Sequence, residues 1–554
     1  MKNKKIVLVV IISIIVILFS IMIFIENKTK RTNSSTVDDI KVTVSIDDND
    51  SKINWSNYTE KSVNLIESIT ITEEGIYNLS GTIEDGCITI NTSGNVKLIL
   101  NEVNIKNSNG PAIYIKSAKN VIIYLKGNNY LEDGTIFTNE ELNGTIYSES
   151  NIVFDGSGTL EIKSNYQDGI VSKKNIKIIN GNYTILANDD GIRGKDSGYI
   201  IDGNFETNTE GDGIKSTNDE DETKGFVKIE NGSFNINSKL DGIQAETSVI
   251  ITNGVFNITT VSESTIPSNN QKSNFKNTNT KSSKGIKAGN NIVITNGTFN
   301  LNTQDDSIHS NNSIGISTGT YNIKSEDDGI HADKEIIIDD GTIDISKSYE
   351  GIESSKITIN NGNISVVASD DGINIADQSS YKNNYKQNTD NILTINAGTI
   401  YVNASGDGID INGTAYINGG LIMVDGPTSN GDGALDYDNQ FIVNGGTLIA
   451  VGSSGMAQGI SNTSTQYGVL INLTNAYKAG DKITILDENS NEIIEYAPSK
   501  SYQSVAFSSD KLVKNKTYTL KINDVVYETF TIEKISTTMA NAQTPGRPNR
   551  GTMR

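Results

Sequence analysis

The chain has one cysteine, six prolines and too few basic residues to balance its acids. Each shortage excludes something. Cys87 has no internal partner, so no intrachain disulfide can staple the fold, and it reads as a buried, inert thiol. Few prolines beside 50 glycines, in a chain rich in Ile, Asn, Thr and Ser, favour short strands joined by turns over helices. A net charge of −21 leaves no basic stripe to meet phosphates, which argues against nucleic acid as a partner. It also works against unaided binding of anionic polymers. Cations are the natural partners. A length of 554 residues allows two or three ordinary domains or one long repeat domain.

One long apolar run is present, at the start. Lys2, Lys4 and Lys5 precede an apolar stretch from Ile6 to Ile25, interrupted only by Ser13 and Ser20. It is long enough to span a bilayer, and the basic head, residues 1–5, would stay in the cytoplasm. No small-residue cleavage site follows, so an uncleaved transmembrane signal-anchor over 6–25 is favoured over a cleaved signal peptide. Both readings place the remaining chain outside the cell, on the outer face of the membrane or secreted. Residues 26–45 are polar and read as a linker.

Two signatures then alternate on one period. The first is "QDGI" 167–170, "DDGI" 189–192, "GDGI" 211–214, "LDGI" 240–243, "SKGI" 283–286, "DDSI" 305–308, "DDGI" 327–330, "YEGI" 349–352, "DDGI" 370–373, "GDGI" 406–409 and "GDGA" 431–434. The second has the form "VKIENGSFNI" 227–236 or "IVITNGTFNL" 292–301. The glycines of both recur about every 22 residues, as at Gly169, Gly191 and Gly213. Each unit holds two or three runs of alternating Ile/Val and polar residues, which means strands with one face buried. A unit this short cannot bury that face alone, so units must stack. Three strands and three turns per unit predict one coil of a parallel β-helix, right-handed by the chirality of parallel crossovers. Stacked coils rise by about 4.8 Å each.

The solenoid is assigned to residues 46–465. Two departures from the period, at residues 264–284 and 377–390, read as surface loops; the second carries Tyr381 and Tyr385, candidate sugar contacts. Residues 466–533 lose the period and read as a small antiparallel module capping the open end. Residues 534–554 read as a disordered tail.

Equivalent residues of successive coils lie above one another, so the residue before the repeat glycine forms a ladder: Asp168, Asp190, Asp212, Asp241, Asp306, Asp328, Glu350, Asp371, Asp407 and Asp432. Asp189, Asp305, Asp327 and Asp370 add second carboxylates. Stacked carboxylates repel. Asp often caps turn N–H groups, but Asn would do so without the repulsion. Hard-cation binding is the functional reading, since calcium takes six to eight oxygens in flexible geometry. Arg193, Lys215, Lys287, His309 and His331 all lie two residues after the repeat glycine; the plain reading of that column is charge pairing with the ladder. No Lys, Arg or His occurs between Lys386 and Lys478, where Asp407 and Asp410 sit one coil after Asp370 and Asp371, and Asp432, Asp436 and Asp438 follow one coil later. That stretch is the leading metal candidate. Asp168, Asp189, Asp190, Asp212 and Asp241 are further ones.

"QDGIVSKKNIKIINGNYTI" 167–185, "GDGIKSTNDEDETKGFVKIENGSFNI" 211–236 and "GDGALDYD" 431–438 resemble a family of bacterial, clostridial extracellular carbohydrate-binding proteins. These are cellulose- and pectin-binding β-helices, similar in fold to the family 9 polysaccharide lyases. The resemblance spans roughly residues 55–530. It implies a right-handed parallel β-helix, bound calcium and a plant or cell-surface polysaccharide as ligand. In those lyases calcium sits in an Asp-Asp-Gly-x-Asp cluster; "GDGID" 406–410 matches except at Gly406, so the carry-over to Asp407 and Asp410 is partial.

Three functions follow from these readings. The first is a surface-anchored, calcium-dependent binder of a cellulose- or pectin-like polymer, without catalysis. Tyr166, Tyr349 and Tyr437 are its candidate stacking residues. The second is a calcium-dependent lyase, which needs a Lys or Arg base such as Arg193 or Lys215. The third is a structural rod stapled by calcium.

Overall fold

The computed structural model describes residues 35–260, 282–376 and 390–539. The predicted membrane span lies outside them. Among the described residues no helix is long and apolar enough to cross a membrane. The fold is all-β.

One coil shows how the sequence makes the architecture. It consists of strands Ile192–Gly194, Ser197–Ile200 and Asn204–Thr209. The next coil repeats them as Ile214–Ser216, Phe226–Ile229 and Ser233–Ser238. All three pair in parallel and in register, with Ile192 opposite Ile214, Ser197 opposite Phe226 and Asn204 opposite Ser233. Repetition stacks the first strands into a 15-stranded parallel sheet from Ile69–Ile71 to Leu435–Tyr437. The second and third strands join a 32-stranded sheet that continues into the C-terminal cap.

The period-2 alternation fixes what lies inside. In Ser233–Ser238 the residues Phe234, Ile236 and Ser238 are buried and those between are exposed. In-register stacking turns each inward position into a row. Ile200, Ile229, Ile251, Ile294 and Ile316 form one such row, at most 1% exposed. Tyr183, Phe205, Phe234, Phe256, Phe299 and Tyr321 form another, their rings stacked at 4.8–4.9 Å and within 8° of parallel. The glycine of the second signature makes room for that row. A Cβ on Gly297, whose φ is +142°, would lie 2.8 Å from the Phe299 ring and 3.1 Å from the Gly254 carbonyl.

Both departures from the period leave the stack unbroken. Ile243–Ala245 pairs directly with Ile286–Ala288, and Ile373–Ile375 with Ile409–Ile411. The intervening residues 261–281 and 377–389, with Tyr381 and Tyr385, lie outside the described residues.

Two terminal segments differ from their composition-based reading. Residues 35–45, polar enough to read as linker, are docked on the coils. Asn360 donates to the Ser35 carbonyl at 2.9 Å, the Val37 N–H donates to Asp339 at 3.0 Å, and Ser45 N–H donates to the Thr223 carbonyl at 2.9 Å. Buried Val37 and its neighbour Ile40 fill the space left by Gly315. Lys177 then grips Asp48 and Asp50 at 3.0 and 3.1 Å, so the chain runs back along the stack before entering it.

At the other end, Thr447–Gly452 of the last coil pairs antiparallel with Tyr502–Ser509, and Glu492–Tyr496, Ile483–Leu486, Thr517–Ile522 and Val525–Thr531 form a four-stranded antiparallel sheet with its own core. The cap thus covers the open edge. Ser536–Met539, placed by composition in the tail, is a strand lying parallel to Gly468–Ile471. An open backbone edge and a β-branched run suffice to order it. Residues 540–554 lie outside the described residues.

Candidate metal centre

The ladder has a backbone role that spacing alone does not reveal. Along the ladder, aspartates accept through Oδ1 the N–H of the next rung. Asp168 accepts from Asp190 at 2.9 Å, Asp190 from Asp212 at 2.9 Å, and Asp212 from Asp241 at 2.8 Å. Asp241 accepts from Lys284 at 2.8 Å, Asp306 from Asp328 at 3.1 Å, and Asp371 from Asp407 at 2.7 Å. The glycine that follows is dictated by close coil-to-coil approach: a Cβ on Gly191 would sit 2.6 Å from the Gly213 carbonyl oxygen.

Beside the ladder runs a column of outward residues on the first strands. In register it reads Val171, Arg193, Lys215, Gln244, Lys287, His309, His331, Glu353, Asn374, Asp410 and Asp436. Its sign changes between His331 and Glu353. Above that point the bases pair with the ladder's Oδ2 atoms. Arg193 Nε is 3.0 Å from Asp168, Lys215 Nζ 2.6 Å from Asp212, and Lys287 Nζ 3.2 Å from Asp241. This answers why the upper ladder uses Asp rather than Asn: one oxygen serves the backbone and the other an ion pair. Burial still pushes Asp168 up to about 7 and Asp212 up to about 6. Asp168, Asp189 and Asp190 bring carboxylate oxygens within 4.8 Å of one another, with the Arg193 guanidinium on Asp168 and its Nε 3.5 Å from Asp190. Lys284 occupies a ladder position that a search for acids passes over. It reaches Asp305 and Asp306 at 2.6 and 2.7 Å.

Below the sign change the column holds carboxylates and one amide. Asp371, Asp407 and Asp410 place oxygens within 4.8 Å of one another, half-buried. Burial, then the charges of Asp371, Asp407 and Asp436, pushes Asp410 up to about 8. Burial against a bond from the Gly433 N–H leaves Asp407 at about 7. On the coil before Asp371, burial and then the charge of Asp328 push Glu350 up to about 7, and burial with the charges of Glu350 and Asp328 pushes Glu353 up to about 11. Neither Glu353 nor Asn374 stands out by residue type alone. Their offset of two from Gly351 and Gly372, shared with Arg193, was the available signal. Asn374, 5% exposed, donates to Glu350 at 2.7 Å, and its Oδ1 has no hydrogen-bond partner among the described residues.

The remaining predicted ligands are placed as follows. Asp436 follows Asp410 in the column, and Gln458 donates to it. Asp432 stands one residue off the ladder. Leu435, not Ala434, packs opposite Ile409, so Gly433 takes the rung and donates to Asp407 at 2.6 Å. Asp432 accepts from Ser429 at 3.1 Å instead. Asp438 is exposed beyond the end of its strand. Asp370 flanks the cluster: a Cβ on Gly406 would lie 2.5 Å from Asp371 Oδ1 and 2.7 Å from Asp370 Oδ1. The carboxylates of Asp371 and Asp370 thus leave no room for a side chain at Gly406. Tyr349, half-buried, hydrogen-bonds Asp370; Tyr166 stacks on Phe137 at 4.3 Å; Tyr437 donates to the Gly459 carbonyl at 2.8 Å.

The donor set below His331 fits a hard cation. It is all oxygen, its carboxyls are crowded enough to hold protons near neutrality, and it includes an orphaned buried carbonyl oxygen. Calcium has these requirements.

A family model described as a carbohydrate-binding domain-containing protein matches residues 67–329 and 324–372, together more than half of the chain. The match holds the ladder from Asp168 to Asp371 and stops before Asp407. A protein of that description from Acetivibrio thermocellus is 38% identical over 149 residues, which are 25% of this chain and 51% of that protein. The chain thus spans about half the length of the curated relative it matches. A solved structure of a polysaccharide lyase-like protein from C. thermocellum, a gadolinium derivative, aligns at 31% identity and a TM-score of 0.35, over 37% of this chain and 91% of that one.

Proposed function

The chain belongs to the carbohydrate-binding domain family, and from that premise we propose that it is a non-catalytic, calcium-dependent binder of polysaccharide on the outer face of the cell membrane. The apolar segment 6–25 would be its anchor. The observation that carries the calcium reading is the cluster of Asp371, Asp407 and Asp410, which has no base beside it among the described residues and is flanked in the column by Asn374, whose oxygen is orphaned among them. Those four residues would hold the ion, with Asp436 next to them in the column. When bound, calcium supplies a positive charge that a uronate carboxylate can share.

A protein of net charge −21 repels a pectin-like polymer over long range. The cluster's carboxylates repel it at contact. Neutralising them is what makes a polyuronate a feasible ligand. Tyr349, half-exposed beside Asp370, offers a face for a sugar ring. Catalysis by β-elimination would need a base beside the cation. The column positions there carry Glu353, Asn374, Asp410 and Asp436, and the bases higher up, Arg193 and Lys215, are committed to Asp168 and Asp212.

The test is retention on polygalacturonate and on cellulose, with calcium and with chelator, while assaying for ultraviolet-absorbing unsaturated products. Calcium-dependent retention without products, lost in Asp410→Asn, is the expected result. Products would make the protein a lyase. Calcium-dependent melting with no retention on either polymer would make it a structural rod.

A further inference from the structure

The chain has only two histidines, and they stand on adjacent rungs. His309 and His331 are directly opposite in register on strands Ile308–Ser310 and Ile330–Ala332, with ring centroids 4.9 Å apart and planes at 74°. Both turn Nδ1 toward Asp306 Oδ2, at 2.7 and 3.8 Å. We propose that Asp306, His309 and His331 form a site for one borderline first-row divalent cation, typified by Zn2+, separate from the all-oxygen cluster around Asp407.

The first argument is hydrogen-bond accounting. A neutral imidazole has one donor and one acceptor nitrogen. Here both nitrogens of both rings face oxygen. Nδ1 of His309 faces Asp306 and its Nε2 lies 3.0 Å from Asn311 Oδ1. Nδ1 of His331 lies 3.1 Å from Asp328 Oδ2 and 3.8 Å from Glu353 Oε2, and its Nε2 lies 3.7 Å from Asp333 Oδ1. A neutral ring that donates from Nε2 leaves the Nδ1 lone pair pointing at a carboxylate lone pair. A second proton on each ring, or a metal ion in place of the Nδ1 protons, removes that conflict, and one metal ion serves both rungs at once. The Nε2 contacts then have the familiar form of an outer oxygen fixing the ligating tautomer.

The second argument is geometry. Ligand atoms around a tetrahedral zinc sit ~3.3 Å apart. The two Nδ1 to Oδ2 separations, 2.7 and 3.8 Å, bracket that value, and all three ligand atoms lie within 4.8 Å of one another. The donors are also held in place. Asp306 is 2% and His331 8% exposed, and the other oxygen of Asp306 is fixed by the Asp328 N–H. Asp328 Oδ2 is at hand as a fourth ligand. The competing cation is Lys284, 2.7 Å from Asp306 Oδ2; it has a second partner in Asp305 at 2.6 Å and can keep that one. Two imidazoles in the donor set favour zinc and its neighbours over calcium.

The test uses the full chain, purified without a polyhistidine tag and stripped of metal. Zn2+ is titrated calorimetrically in excess Ca2+, and the histidine ring proton signals are followed by NMR. One equivalent of Zn2+ should bind despite the calcium, shifting both ring signals. His309→Gln and His331→Gln should each weaken binding at least about tenfold, whereas Asp410→Asn should not. No binding, displacement of Zn2+ by calcium, or unchanged affinity in both histidine variants would overturn the site. Should a variant fail to fold, the wild-type ring signals decide alone: unperturbed rings at one equivalent of Zn2+ refute the proposal.

Discussion

At the scale of the residue, identical letters do different jobs. "GDG" occurs at 406–408 and again at 431–433. A Cβ on Gly406 would press into the carboxylates of Asp371 and Asp370, while one on Gly431 would meet nothing within 4 Å. Gly406→Ala should therefore displace the cluster and reduce calcium-induced stabilisation at least about tenfold in apparent affinity, and Gly431→Ala should be silent; calcium titrations followed by melting temperature compare the two. The titration of the cluster gives a second expectation, for the ion-free chain. Asp407 and Asp410 hold their protons up to about 7 and about 8 when folded, against ~3.9 for an unfolded aspartate. The folded state binds more protons over that interval, so stability present at low pH is lost as pH rises from about 4 to about 8. Ion-free protein should melt lower at pH 8 than at pH 5, and added calcium should raise the melting point by at least about 3 °C more at pH 8. A calcium effect as large at pH 5 would contradict the shifts.

At the scale of the element, the cap is latched to the last coils by one buried carboxylate. Asp425, 1% exposed, accepts from the hydroxyls of Tyr401 at 3.0 Å, Tyr496 at 2.6 Å and Ser499 at 2.6 Å, and from the Ser499 N–H at 2.7 Å. Two of those partners, Tyr496 and Ser499, belong to the cap. Asp425→Ala leaves Tyr401 the Ser499 hydroxyl as a partner but strands the Tyr496 hydroxyl and the Ser499 N–H, at a cost of about 3 kcal/mol, so the cap should become at least about tenfold more susceptible to limited proteolysis near residues 453–467. An unchanged digestion rate would place the latch elsewhere, in the Thr447–Gly452 pairing with Tyr502–Ser509. The strands themselves were legible in the sequence, because Ile alternation and the Asn-Gly turn state which face is buried and where each strand stops. What was not legible depends on register between coils. The ladder's bond to the next rung's N–H, the one-residue offset that removes Asp432 from the ladder, and Lys284 among the acids all require knowing which residue stacks on which. The docking of residues 35–45 was hidden for a different reason. Its polar composition suits a linker, and its contacts are with coils some 180 to 320 residues later.

At the scale of the whole molecule, charge is divided along the axis of the stack. The rungs from Asp168 to Asp328 carry their own counter-charges in Arg193, Lys215, Lys287 and Lys284, with the two histidine rings facing Asp306 and Asp328. From Glu350 to Asp436 the column and ladder carry acids and one amide. Apart from the docked segment 35–50, each described coil packs mainly on its neighbours, so stability in such a stack is close to a sum of local terms, and a local loss is felt locally. Removing calcium should then loosen one end of the rod and leave the other alone. Hydrogen exchange of the full chain, with calcium and with chelator, tests this strand by strand. Chelator should speed exchange by about tenfold or more in Ile352–Ser354, Ile373–Ile375, Ile409–Ile411 and Leu435–Tyr437, and should leave Ile192–Gly194, Ile214–Ser216 and Ile243–Ala245 unchanged. If the upper strands respond equally, calcium also occupies rungs whose carboxylates are already paired, and the sign change between His331 and Glu353 is not the boundary of the cation-binding face. If no strand responds, the crowded carboxyls around Asp410 are neutralised by protons alone, and polysaccharide binding must be driven by the exposed amides and tyrosines of the stack.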